Sequence, residues 1–203
     1  MRRDVFEETL AVCGRGWYEA EVGWQAASGT WVRRVAPVAL RDVLAANPPQ
    51  TVVLDGRWLE AWVRQEQAVR QAAAGAAAAA VGAVEVLEDD CLRVALRLRA
   101  RGHRPLVLNM ASARRPGGGV RNGAGAQEEN LFRRSNYERH LSRRLYPLGE
   151  AQALYSRGVV VFRDAEAAGY ALLAEPQPLD FVAVAAPRQP PLRRDAASGE
   201  LVL

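Results

Sequence analysis

The chain has 203 residues, 49% of them hydrophobic, and a net charge of +4. This is enough for one domain with its own core and excludes disorder over most of the length. No apolar run nears the ~18 residues of a membrane span, and Met1-Arg-Arg-Asp leads into Glu7-Glu8 instead of a signal-peptide core, so a cytoplasmic location is expected.

All 27 basic residues are arginine. GC-rich coding accounts for part of that bias; the rest suits guanidinium forks gripping phosphate, so an anionic partner is expected. Over Arg3 to Gly14, Val5, Phe6, Thr9, Leu10 and Cys13 recur at helical spacing, with Gly14 and Gly16 as a stop. Trp17 to Val35 alternates aromatics and valines with polar residues and breaks at Ser28-Gly29, which predicts two strands and a turn. Asn47-Pro48-Pro49 then interrupts the chain ahead of a short strand over Thr51–Leu54.

From Arg57 to about Ala80, the pairs Trp58/Trp62 and Leu59/Val63 predict a helix running into an alanine tract, read as a closely packed helix or a linker. Val84–Leu87 predicts a strand. Asp89-Asp90 caps a helix over Cys91–Arg101 whose apolar face is Leu92, Ala95 and Leu98, and Gly102 ends it. Leu106–Leu108, Val159–Phe162 and Phe181–Ala185 are continuously apolar, as in strands buried in a parallel sheet. Strands alternating with helices predict an α/β sheet, with ligand bound outside the carboxyl ends of its strands. The tail from Pro187 reads as a disordered end or exposed loop. Cys13 and Cys91 read as isolated buried thiols, and with only two histidines no metal site is expected.

The chemistry concentrates after Leu108. Gly117-Gly118-Gly119 removes three side chains in succession, so backbone N–H groups can approach an anion, and Gly123 and Gly125 keep the next turn bare. Neither established phosphate loop fits: the chain has no lysine for a Walker A motif, and Gly123-Ala-Gly125 does not open a dinucleotide fingerprint. Gln127-Glu128-Glu129 follows. Adjacent carboxylates repel, and one held in a cleft gains a raised pKa suited to protonating a glycosidic oxygen. The bland alternative is that both favour the positive end of the following helix. That helix is predicted from Asn130 to about Leu145, with Tyr137, Leu141 and Leu145 toward the core and Arg133, Arg134, Arg139, Arg143 and Arg144 mainly elsewhere, read as a solvated face or as contacts to substrate phosphates.

The order LNMASARRPGGG, seven residues, then QEE and NLFRRSNYERHLS closely resembles the bacterial-type poly(ADP-ribose) glycohydrolases, and the match continues through Tyr146-Pro147 and residues 158–164. The resemblance implies a macrodomain-like three-layer α/β/α mixed sheet over residues 81–203 with an N-terminal extension over 1–80. It implies Glu129 as catalytic acid/base, Glu128 positioning the ribose, Asn109 binding the terminal ribose, Gly117, Gly118 and Gly119 passing close to ribose and diphosphate, and Gln127 orienting the glutamates. It further implies exo-acting hydrolysis of the ribose–ribose bond of poly(ADP-ribose) without metal or cofactor. The rivals are an ADP-ribose reader without activity, an inactive interaction module, and a hydrolase acting on ADP-ribosylated protein or DNA. The family continues beyond the strand at Phe181–Ala185 with a helix, a strand and a second glycine-rich loop that this sequence does not show; a sheet lacking that strand is expected to expose apolar surface.

Overall fold

The computed structural model describes residues 1–25, 29–72, 83–186, 193–194 and 201–202. Position 28 of the expected turn, the alanine tract beyond Ala72 and most of the tail lie outside the described residues. Helix α1 spans Arg2–Arg15 and ends where Gly16 takes a left-handed φ of 78° and its N–H returns to Val12 O. Strands β1 (Trp17–Gln25) and β2 (Trp31–Ala39) form an antiparallel ribbon, as the alternation predicts. A short helix that the sequence reading missed, α2 (Leu40–Ala46), precedes β3 (Gln50–Leu54), and α3 spans Gly56–Ala72. Helix α4 (Cys91–Ala100) opens on Asp90, whose carboxylate accepts the Arg93 N–H at 2.9 Å.

The main sheet is mixed and runs β3-β5-β6-β4, with β4 at Leu106–Met110, β5 at Ala153–Arg163 and β6 at Leu172–Val184. The α/β class holds, but the strand reading needs correction. Only β4 and β6 run parallel; β5 lies antiparallel to both β3 and β6. The apolar run Val159–Phe162 is instead explained by burial on both faces. Val159 and Val161 face a core with Phe6, Leu131, Phe132, Tyr137 and Phe181, while Val160 and Phe162 face a second core with Val12, Tyr18 and Leu40.

Strand β4 is an edge strand covered on one face. Val107 and Asn109 are buried, whereas Leu106, Leu108 and Met110 are exposed, so the apolar surface expected of this sheet lies here. The predicted strand at Val84–Leu87 is irregular chain with no pairing partner among the described residues, and Val84 and Val86 are each 92% exposed. Cys13 is buried and Cys91 is not: Cys91 stands at the exposed start of α4.

The largest correction concerns the helix after the paired glutamates. Helix α5 spans Gln127–Arg134 and stops because Ser135 becomes extended and bridges to Val161, while Asn136 exchanges hydrogen bonds with Val160, its backbone N–H to the carbonyl and its Oδ1 to the N–H. Short polar side chains that bond the backbone locally compete with helix. Two 3-10 turns, Tyr137–Arg139 and Arg143–Leu145, then carry the chain on, and they still deliver Tyr137 and Leu141 to the core. Arg139, Arg143 and Arg144 are exposed as expected, but Arg133 and Arg134 are fully buried. Arg134 pairs with Asp90 at 2.7 Å, and Arg133 donates to Ala124 O at 2.8 Å and Tyr170 Oη at 3.1 Å.

Candidate active site

The parallel pairing of β4 with β6 brings two carboxyl ends to one rim of the sheet. A cleft of about 570 Å³ opens there, lined by Met110 and Ala186 at the strand ends, by Arg114, Arg115, Gly118 and Gly119 from the loop, and by Glu128 and Glu129 from the start of α5. This is the place the α/β reading predicts for a ligand.

Each glycine of the triplet is required by contact. Gly117 and Gly118 have φ of 68° and 48°. A Cβ on Gly117 would lie 2.8 Å from the Phe132 ring, one on Gly118 2.5 Å from Glu129 Oε1, and one on Gly119 2.8 Å from Ala124 Cβ. The bare backbone does approach an anion, but the anion is the protein's own. Gly117 N–H donates to Glu128 Oε1 at 3.1 Å, and Gly119 N–H donates to Glu129 Oε1 at 2.8 Å.

The two carboxylates are therefore held differently. Glu128 accepts on both oxygens: Ser112 N–H at 2.8 Å meets Oε2, while Gly117 N–H and, at 3.5 Å, the Asn109 amide meet Oε1. Burial pushes its carboxyl above the ordinary range, opposed by those three donors and assisted by the neighbouring charge of Glu129. The elevation expected of a crowded carboxylate pair thus falls on Glu128. Glu129 has only the Gly119 bond on Oε1, and its Oε2 is buried with no partner among the described residues. An acceptor left in that state costs about 1–3 kcal/mol unless a ligand group meets it.

Asn109, expected to reach a ribose, is fully buried behind Glu128 and outside the cleft wall; its Oδ1 has no hydrogen-bond partner among the described residues. Gln127 also faces away from the cleft. Its amide bridges Leu108 O at 2.6 Å and Met110 N–H at 2.9 Å on the outer edge of β4, fastening the start of α5 to that strand and so fixing where the next two glutamates stand. Sequence reasoning missed Ser112, whose contribution is a backbone N–H that side-chain chemistry does not signal, and Arg133, whose buried guanidinium ties down the Gly119–Ala126 turn through Ala124 O.

The family model for the catalytic domain of microbial-type poly(ADP-ribose) glycohydrolase matches residues 7–164. Among solved structures, the poly(ADP-ribose) glycohydrolase of Thermomonospora curvata is 32% identical with a TM-score of 0.63, over 92% of this chain and 64% of that one. The same enzyme bound to the inhibitor ADP-HPD gives 31% identity and a TM-score of 0.62, over 92% and 63%. The Deinococcus radiodurans enzyme in complex with ADP-ribose is 28% identical with a TM-score of 0.52, over 71% of this chain and 57% of that one. The chain thus spans less than two thirds of the length of these structures. No curated protein sequence matches it.

Proposed function

The chain belongs to the family of microbial-type poly(ADP-ribose) glycohydrolase catalytic domains, and from that premise we propose that it hydrolyses the ribose–ribose O-glycosidic bond of poly(ADP-ribose) and releases ADP-ribose. The observation that carries the reading is Glu129 on the cleft wall, with Oε1 fixed by the Gly119 N–H and a buried Oε2 that has no hydrogen-bond partner among the described residues. A protein that only binds ADP-ribose has no need of a carboxyl held beside the cleft with one oxygen uncommitted, whereas a general acid uses that oxygen to carry the proton.

Glu129 acts as the proton carrier. Its carboxylic acid protonates the leaving ribose oxygen as the bond to the anomeric carbon breaks, and positive charge develops on the ring. The resulting carboxylate takes a proton from water as the water oxygen bonds to the anomeric carbon, which restores the acid. Glu128 carries the raised pKa but is the poorer candidate for that task, because both its oxygens already accept hydrogen bonds. Its role is to hold the backbone of Ser112 and Gly117 in one rigid wall, backed by Asn109, and to orient ribose hydroxyls from it. Arg114 on the cleft wall supplies a guanidinium group for the diphosphate.

The test is release of ADP-ribose from poly(ADP-ribose), and separately from mono-ADP-ribosylated protein and DNA, by wild type and Glu129→Gln. Release from the polymer is expected to fall 10²–10⁴-fold in the variant, with ADP-ribose binding retained. Equal release by both would remove Glu129 from the mechanism; binding without release from any substrate would make the protein a reader.

A further inference from the structure

The wall formed by Gly118 and Gly119 has a second side. A smaller depression of about 150 Å³ lies across it, lined by Arg115, Pro116, Gly118, Gly119, Arg121 and Arg143, among others. Arg115, Gly118 and Gly119 belong to both spaces, so the two are contiguous across the same two glycines that contact Glu129. Arg121 is engaged with Glu138 at 2.7 Å and stacks on Phe6. Arg115 and Arg143 are exposed and have no carboxylate or other side-chain partner among the described residues. A groove with two uncommitted guanidiniums suits an anion with phosphate oxygens.

We propose that this groove is a subsite for the diphosphate on the leaving side of the scissile bond, so that the protein recognises at least two consecutive units of ADP-ribose and not a single terminal one. The inference rests on the hydrolytic reading above. In the polymer, the oxygen that leaves belongs to a ribose whose own 5′ carbon carries the next diphosphate, so the nearest charge beyond the cleavage point lies only a few bonds away. With the reacting ribose at Glu129, that charge falls across the Gly118–Gly119 wall, where Arg115 and Arg143 meet it. Arg143 borders only the second space and so separates the two sites experimentally.

The experiment measures binding of monomeric ADP-ribose, of a defined ADP-ribose dimer and of ADP-ribosylated DNA to Glu129→Gln, with and without Arg143→Glu, and with Arg143→Lys as the charge-preserving control. The dimer is expected to bind more tightly than the monomer. Arg143→Glu should weaken the dimer about tenfold or more, the loss of one charge-assisted phosphate contact, with the monomer changed less than twofold and Arg143→Lys recovering most of the loss. A dimer-to-monomer ratio unaltered by Arg143→Glu overturns the subsite alone. Equal weakening of both ligands also overturns it, since Arg143 would then serve the main cleft. A loss confined to ADP-ribosylated DNA assigns the groove to nucleic-acid phosphates and rejects the polymer. Failure of Glu129→Gln to bind monomeric ADP-ribose at all rejects the hydrolytic reading, and the subsite with it.

Discussion

A methyl group at position 118 would stand 2.5 Å from Glu129 Oε1 on a backbone with φ of 48°. Two costs follow, and they separate. The backbone term for a non-glycine residue in the left-handed region is about 1–2 kcal/mol, which corresponds to a melting temperature lower by roughly 2–8 °C for a chain of this size. The contact term falls on Glu129, which must leave its bond with the Gly119 N–H. Gly118→Ala is therefore expected to lose at least about 100-fold in ADP-ribose release while remaining folded. Gly102→Ala provides the control: Gly102 has φ of 88° with nothing within 4 Å of its Cβ position, so it should lose stability to a similar degree and no activity. Thermal melts and turnover of the two variants side by side check this, and comparable activity in both would mean that the Glu129 position does not matter.

At the scale of elements, the end of α5 shows what the sequence could and could not tell. The paired glutamates, the glycine triplet and the Asp90 cap were legible because each depends on residues adjacent in the chain. Tyr137 and Leu141 were correctly assigned to the core for the wrong reason: they arrive there through a 3-10 turn, and the helical spacing that suggested them is a coincidence of periods. The fate of Arg133 and Arg134 was not legible at all. Their burial depends on Asp90, Ala124, Arg163 and Tyr170, partners that only the folded chain brings together. Neither was Asn109's withdrawal behind Glu128 legible, since it depends on how a neighbouring helix is fastened to its strand. The reassignment of the arginines predicts opposite outcomes along one run of charge. Arg134→Met should destabilise by about 3 kcal/mol, the lower end for breaking a buried pair, because Asp90 keeps about a quarter of its side chain in water. Arg144→Met, on the exposed stretch, should change stability by no more than about 0.5 kcal/mol. Denaturant unfolding of both variants separates a structural arginine from a solvated one.

Across the whole molecule, the strand contributed by residues 50–54 closes over His140: Thr51 Oγ1 donates to its carbonyl at 2.8 Å and shares a 2.8 Å hydrogen bond with Ser156 Oγ. The imidazole beneath is buried with neither ring nitrogen in a close hydrogen bond among the described residues, and burial, opposed in part by the Gln50 backbone, lowers its pKa to about 4. An unfolded histidine titrates near 6.5, so between these values the unfolded chain binds the proton and the folded one resists it. Stability from this group is fully present above about pH 6.5 and is lost as pH falls toward 4, at up to about 1.4 kcal/mol per pH unit. Asp89, Asp90, Asp164 and Glu166, all lowered first or in part by arginine partners, lose their contributions at lower pH still, as each falls through its depressed pKa. Glu128, raised by burial, acts in the opposite sense and gains stability as it protonates. A comparison with His140→Gln cancels every group but one. Wild type should lose on the order of 2–3 kcal/mol more than the variant between pH 7 and 4.5, read from urea midpoints at each pH. Parallel curves would mean that water reaches the imidazole and that residues 50–54 do not seal the sheet edge they cover.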